Sequence, residues 1–324
     1  MASFGDLNRV NTNIQSLDSQ LSLNRINRDL SENQLKLSTG LRINKAEDDA
    51  AGYSIATKLN SRVAGLEQAM ANVGDAKSVL DIAESSFDTV MDNLIEMKSL
   101  STQAANDTLG AEERGYIGAQ ISKLAEDIND VASQTVFQDS ELLNGSVSAG
   151  GTATNTGSLS LTFQVGERAS DTLTTDLSAV NVGELFTTGG ATATLGDTTN
   201  GGLTTGNSAI SASAATAGSQ GGLTFASEAN AADFRSLLSK VDEAIGSMND
   251  RVNEIGMTQS SLSTREVTLS QSISANSSAA SRIMDADFAK EQSESVRLQI
   301  LQQTATSALA QANNGPQSVL GFLG

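Results

Sequence analysis

AMANVGDAKSVLDIAESSFDTVMDNLIEMKSLSTQAAN, residues 69–106, decides how this chain is read. Val73, Leu80, Phe87 and Leu94 recur at every seventh position, and Ala76, Ala83, Val90, Met97 and Ala104 fill the complementary row. Apolar residues at alternating steps of three and four form one stripe on an α-helix, and a strict seven-residue repeat makes that stripe a coiled-coil seam. A helix over 69–106 is about 57 Å long at about 1.5 Å per residue. A seam of that length needs a partner face.

The partner is legible near the other end of the chain. Phe234, Val241, Met248, Ile255, Leu262 and Leu269 form one row; Leu238, Ile245, Val252, Gln259, Glu266 and Ile273 form the other. The polar pair Gln259 and Glu266 breaks the second row, as residues that fix register do. A shorter seam runs through Ile117, Ile121, Leu124, Ile128 and Val131. The economical solution is an antiparallel bundle. Its expected core includes Val73, Leu80, Phe87, Leu94, Phe234, Val241, Met248, Ile255 and Leu262.

Both chain ends are amphipathic as well. Leu7, Val10, Ile14, Leu17 and Leu21 follow the helical spacing, and the stripe slips and resumes at Leu23, Ile26 and Leu30. Phe288, Leu298, Leu301, Ala305, Ala308, Leu309 and Ala312 do the same at the C-terminal end. A single narrow helix cannot bury its own stripe. These ends must pair with each other, with a neighbouring molecule, or with both. Leu7, Val10, Ile14, Leu17, Leu21, Ile26, Leu30, Phe288, Leu298, Leu301 and Leu309 are therefore the expected contact residues, and the polymerisation interface where the partner is a neighbouring molecule.

The middle has another texture. Residues 146–228 are rich in Gly, Thr, Ser and Ala, with Arg168 their only basic residue. SLSLTFQV, residues 158–165, alternates as a strand does and stops at Gly166; Gly221-Gly222 precedes LTFAS. Two or three short strands are expected, with a flexible surface excursion over 187–222.

Composition narrows the chemistry. The 324 residues carry a net charge of −18 and include no Cys, no His and no Trp. Thiol nucleophiles, disulfides and thiolate metal sites are excluded, and so is the histidine proton shuttle. The acidic balance argues against nucleic acid and anionic membrane as partners. No stretch approaches the roughly 18 apolar residues that span a bilayer. MASFGDLNRV lacks the basic and apolar regions of a secretory signal peptide. Glu47, Asp48 and Asp49 form an acidic cluster, with Asp285 and Asp287 a second. Carboxylates at a helix start cap free N–H groups and favour the helix dipole, so capping is expected rather than metal or acid–base work. Gly40 and Asn44 read as a break after the first helix. No catalytic, cofactor-binding or metal-ligating residue is identified, and no enzyme activity is expected.

Several long motifs resemble bacterial flagellins, in the order that family shows. LSTGLRINKAEDDAAGYSIATKL (37–59) resembles the flagellin signature after the first terminal helix, and SQTVFQDSELLNG (133–145) the turn out of the first helical block. MDADFAKE (284–291) and LQILQQTATSALAQANNGPQSVLGFL (298–323) resemble the C-terminal segment. LTFQVGERASDTLTTDLSAVNVGELF (161–186) looks like the β-hairpin of short flagellins.

The resemblance implies a mainly α fold of long antiparallel helices in a coiled-coil-like bundle, formed by N- and C-terminal segments, with a small β-hairpin element in the middle. Terminal helices in 1–36 and 286–324 would form the inner filament tube. Residues 37–145 with 229–285, including helices near 45–60, 69–106, 112–134 and 231–275, would form a surrounding layer. Residues 146–228 would form a small outer region. It implies a structural subunit that polymerises into an extracellular filament for swimming. The chain would be exported unfolded by the flagellar type III apparatus, with an export chaperone, hook–filament junction proteins and the filament cap as partners. A hook–filament junction protein or another coiled-coil binding module is the alternative. Flagellins seen by the animal toll-like flagellin receptor carry Leu-Gln-Arg-Val-Arg-Glu-Leu on the first long helix. Here Leu94-Ile95-Glu96-Met97-Lys98-Ser99-Leu100 takes its place. Glu96, Lys98 and Leu100 are then the candidate immune-receptor segment, with Glu96 in place of an Arg and weak recognition expected.

Overall fold

A computed structural model describes residues 13–138, 140–145, 157–186, 210–213, 220–226 and 229–320, with side chains described as far as residue 314. Leu7 and Val10 lie outside the described residues. Six helices carry most of the described chain: α1 Ile14–Thr39, α2 Ala50–Ala104, α3 Ala111–Gln134, α4 Val182–Phe186, α5 Ala231–Met284 and α6 Phe288–Leu320. Six strands form three antiparallel pairs. They are β1 Val136–Phe137 with β2 Ser140–Glu141, β3 Ser158–Gln164 with β4 Thr172–Ser178, and β5 Ile210–Ser213 with β6 Gly222–Phe225. The chain divides into two compact units, one of Met1–Ala64 with Ser272–Gly324 and one of Gly65–Gln271.

Two expectations need correction. The separate helices near 45–60 and 69–106 are one helix, α2, of 55 residues. Nothing between them stops a helix: SRVAGLEQ (61–68) has no proline, and its Gly65 costs only about 1 kcal/mol against alanine. The stretch 187–222, expected to be a flexible excursion, contains β5, with Ile210 and Ala212 buried. The remainder of 187–209 and 214–219 lies outside the described residues.

The unit Gly65–Gln271 is built on α2 and α5 running antiparallel. Lys77 meets Glu266 at 2.5 Å, Gln259 donates to Glu84 at 2.7 Å, and Lys98 meets Asp242 at 2.6 Å, so α5 numbers fall as α2 numbers rise. Both heptad rows of α2 are buried, Val73–Leu80–Phe87–Leu94 and Ala76–Ala83–Val90–Met97–Ala104 alike. On α5, Phe234, Val241, Met248, Ile255, Leu262 and Leu269 are buried. The second α5 row is half-buried except at Glu266, which is exposed, and its polar members Gln259 and Glu266 make the cross-helix contacts just named. Ile117, Ile121 and Ile128 of α3 complete the core, and Thr135 at its end donates to Ser86 of α2 at 2.9 Å.

Two arginines close the α2–α3 corner. Arg114 donates to the Ala104 and Asn106 carbonyls, each at 3.2 Å, and Arg235 of α5 donates to the Ala105 carbonyl at 3.2 Å. Cations suit a helix C-terminus because its last carbonyls have no helical partner.

The β3–β4 hairpin is held by both long helices. Asn72 of α2 donates to the Gln164 carbonyl at 3.2 Å, and Arg251 of α5 donates to the Ala179 carbonyl at 2.7 Å. Burial pushes the Arg251 guanidinium below its usual range, and nearby Glu184 opposes that shift. The β5–β6 pair sits on α3. Phe225 stacks on Phe234 with ring centroids 5.8 Å apart, and Gly118 leaves room for its ring. Gly221, at φ 76°, lets β6 start against Ser213 and Gly183, where a Cβ would come within 2.3 Å of the Ser213 carbonyl oxygen.

Candidate polymerisation surface

The unit made of the two chain ends is organised around α1 and α6. They run antiparallel, linked by Asn13 to the Ala312 carbonyl, Ser16 to Asn313 and Gln302 to Asn27, all at 2.8 Å, and by Asn33 to Glu291 at 2.7 Å. The ends therefore pair with each other, as the amphipathic stripes require.

The breaks that bound this pair lie side by side. Gly40 ends α1 at φ 71°, a left-handed conformation glycine adopts without strain, and its N–H returns to the Lys36 carbonyl at 2.9 Å. The Gly40 carbonyl accepts from Ala286 N–H at 2.9 Å, and Arg42 N–H donates to the Met284 carbonyl at 2.6 Å. Each acidic cluster serves such a break. Asp49 accepts from the N–H groups of Ala51 and Gly52 at the start of α2, and Asp287 from those of Ala289 and Lys290 at the start of α6. Asp48 accepts from Lys45 N–H and Asn44 N–H, which hold its carboxyl below the usual range; Lys36 and Lys45 add to this.

The predicted interface residues fall into two groups. Leu298 is buried between α1 and α6; Ile26, Leu30 and Leu309 are half-buried along the same seam. Ile14, Leu17, Leu21, Phe288 and Leu301 are exposed, Leu17 at 59% and Phe288 at 62%. Val296 and Ile300 join them, neither of which the stripe reading included. The signal was present as the i, i+4 pair Val296–Ile300, two residues either side of Leu298 and so on the opposite side of the helix. Pairing α1 with α6 thus satisfies the facing stripes and leaves other apolar side chains of both helices exposed.

Elsewhere, Glu96 and Lys98 are exposed on α2, with Lys98 paired to Asp242, while Leu100 is half-buried. Among the described residues, no group of three or more acidic, His or Cys side chains is arranged to hold a metal ion.

A sequence profile for the bacterial flagellin N-terminal helical region matches residues 10–148, and one for the C-terminal helical region matches residues 238–323. The chain belongs to the bacterial flagellin family. It is 30% identical to the flagellar filament 33 kDa core protein of Treponema phagedenis, covering 97% of this chain and 99% of that one. It is 34% identical to the flagellin of Bacillus subtilis (strain 168), again over 97% of this chain and 99% of that one. A structure described as a flagellar hook-associated protein from Vibrio parahaemolyticus matches with a TM-score of 0.52 over 74% of this chain and 100% of that one. At 13% identity this is a likeness of fold. Flagellins are structural subunits of the flagellar filament, and this flagellin carries both of the family's helical regions.

Proposed function

We propose that this flagellin polymerises through the apolar side chains that the α1–α6 pair leaves exposed and that the pair lines the core of the filament. The observation that carries the reading is the exposure of Ile14, Leu17, Leu21, Phe288, Ile300 and Leu301 on a helix pair already closed along its seam. Fully burying a Leu, Ile or Phe side chain contributes about 1.5–3 kcal/mol, so their burial among several neighbours outweighs the entropy lost on association. The terminal segments 1–36 and 286–324 act as the inner tube. The helices of 37–145 and 229–285 surround it, and 146–228 is the outer region.

The protein acts outside the cell after export, unfolded, by the flagellar type III apparatus. An export chaperone, the hook–filament junction proteins and the filament cap are its partners on that route. It works as a structural element without catalysis. A host receptor for flagellin engages it weakly, because Glu96 replaces a cation and Lys98 is held by Asp242. Electron microscopy and sedimentation of purified protein after a rise in salt test the polymerisation reading. Filaments are expected; a protein that stays monomeric under all assembly conditions contradicts it.

A further inference from the structure

We propose that Asn33, through Glu291, sets the register in which α1 pairs with α6, and so how the exposed apolar side chains of the two helices are placed along the pair for a second copy. The proposal rests on the polymerisation reading above.

The seam of this pair is poor in large apolar groups. From α6 it takes Ser295, Leu298, Gln302, Ala305, Leu309 and Ala312, spaced by threes and fours. From α1 it takes Leu23, Ile26, Leu30, Asn33 and Leu37 at the same spacing. A slip by one heptad, about 10 Å at about 1.5 Å per residue, keeps stripe against stripe and costs little apolar contact. Apolar packing alone therefore specifies the register weakly.

Asn33 supplies what the seam lacks. It is 4% exposed, the most deeply buried residue of α1. Its amide donates to the Glu291 carbonyl at 3.1 Å and to the Glu291 carboxylate at 2.7 Å, while its Oδ1 is buried without a donor. The observed register meets both donors of this amide. A slip of seven sets Asn33 against Leu298, which offers a backbone carbonyl but no side-chain acceptor, so the shorter of the two bonds is lost. A buried Asn that costs stability and selects one alignment is a known device of paired helices. The other polar links of the pair, at Asn13, Ser16 and Asn27, are more exposed and add less.

Register has a consequence for assembly. A slip of seven leaves Leu298 inside and Leu301 outside but carries the exposed residues of α6 about 10 Å past those of α1.

The chain has no cysteine, so engineered disulfides report register directly. The pair Asn27→Cys with Gln302→Cys reads the observed alignment; Asn27→Cys with Leu309→Cys reads the slipped one. In the full chain with Asn33 intact, the first pair is expected to close and the second is not. With Asn33→Leu, the slipped pair is expected to close as well, helix content by circular dichroism to hold or rise, and filament yield to fall. Glu291→Gln retains an acceptor and is expected to keep the single register. If Asn33→Leu still gives only the observed disulfide, the proposal is wrong. It is equally wrong if that variant loses helix content, since leucine removes the unmet acceptor and adds apolar contact. A parent protein that closes the first disulfide yet never forms filaments would sink the polymerisation reading and leave the register assignment standing.

Discussion

Gln259 of α5 sits between two carboxylates of α2, donating one amide nitrogen to Asp81 at 2.9 Å and to Glu84 at 2.7 Å. One neutral donor here bridges an exposed carboxylate, Asp81, and a half-buried one, Glu84. It also shows why a polar residue interrupts the second heptad row. The interruption is a cross-helix bond that favours one alignment of α2 and α5.

Replacing Gln259 with Glu sets a third carboxylate against Asp81 and Glu84. Loss of the donated bonds and like-charge repulsion are expected to cost about 1–3 kcal/mol at neutral pH. Thermal melting of the monomer, followed at 222 nm, reads this as a lower midpoint. Gln259→Lys keeps a donor and gains charge complementarity, so its midpoint is expected to stay within a few degrees of the parent.

Two glycines on α3 are predicted to respond in opposite directions. A Cβ at Gly118 would lie 3.1 Å from the Phe225 ring, whereas Gly115 has open space around it. Gly118→Ala forces Phe225 off its stack with Phe234, and overpacking of this kind costs about 1–3 kcal/mol. Gly115→Ala instead gains helix propensity and is expected to stabilise by about 0.5–1 kcal/mol. Denaturant melts of both variants are the check, and equal signs would refute the placement of β6 on α3.

Ser101 is fully buried on α2, and its hydroxyl has no hydrogen-bond partner. Ser101→Ala removes the unmet group with almost no change in volume. The expected result is a gain of about 1 kcal/mol in monomer stability, measured by urea titration. A loss of more than about 1 kcal/mol would mean that the hydroxyl is paired after all.

For host recognition, Glu96→Arg with Ser99→Glu is expected to raise the response of a flagellin-receptor reporter cell line. Both positions are exposed on α2, so the fold should be unaffected. Anchoring arginines at interfaces are worth about 2 kcal/mol or more, so the parent should be weaker than a strong agonist by roughly thirtyfold. Parity between the parent and a strong agonist would contradict the expectation.

Much of this could be read in the sequence because the heptad rows bury Val73 through Leu94 and Phe234 through Leu262 whatever lies around them. Period and apolarity are local properties, and a long seam averages over their exceptions. The contacts of Arg251 and Asn33 were not legible. Each depends on a carbonyl or carboxylate that only the folded chain brings near, at Ala179 and at Glu291. β5 was missed because ISAS (210–213) has one large apolar residue and lies in a Gly/Thr/Ser-rich stretch. It becomes a strand by pairing with β6 in the register Ile210↔Phe225. Within the described residues, the stripe from Ile14 to Leu30 falls on α1. It could not say which residues face α6 and which remain outside, because Leu17 and Leu30 look alike in sequence.

That division gives the most direct test of the account. Leu301 is 38% exposed and Leu298 is 3% exposed, one turn apart on α6. Leu301→Asp puts its charge outside the seam, and Leu298→Asp puts it inside. The measurement is filament formation by sedimentation and electron microscopy, beside the circular dichroism of the monomer. The account predicts that Leu301→Asp keeps the helix content of the parent monomer and forms no filaments, while Leu298→Asp loses both. Filaments of normal length from Leu301→Asp would contradict it.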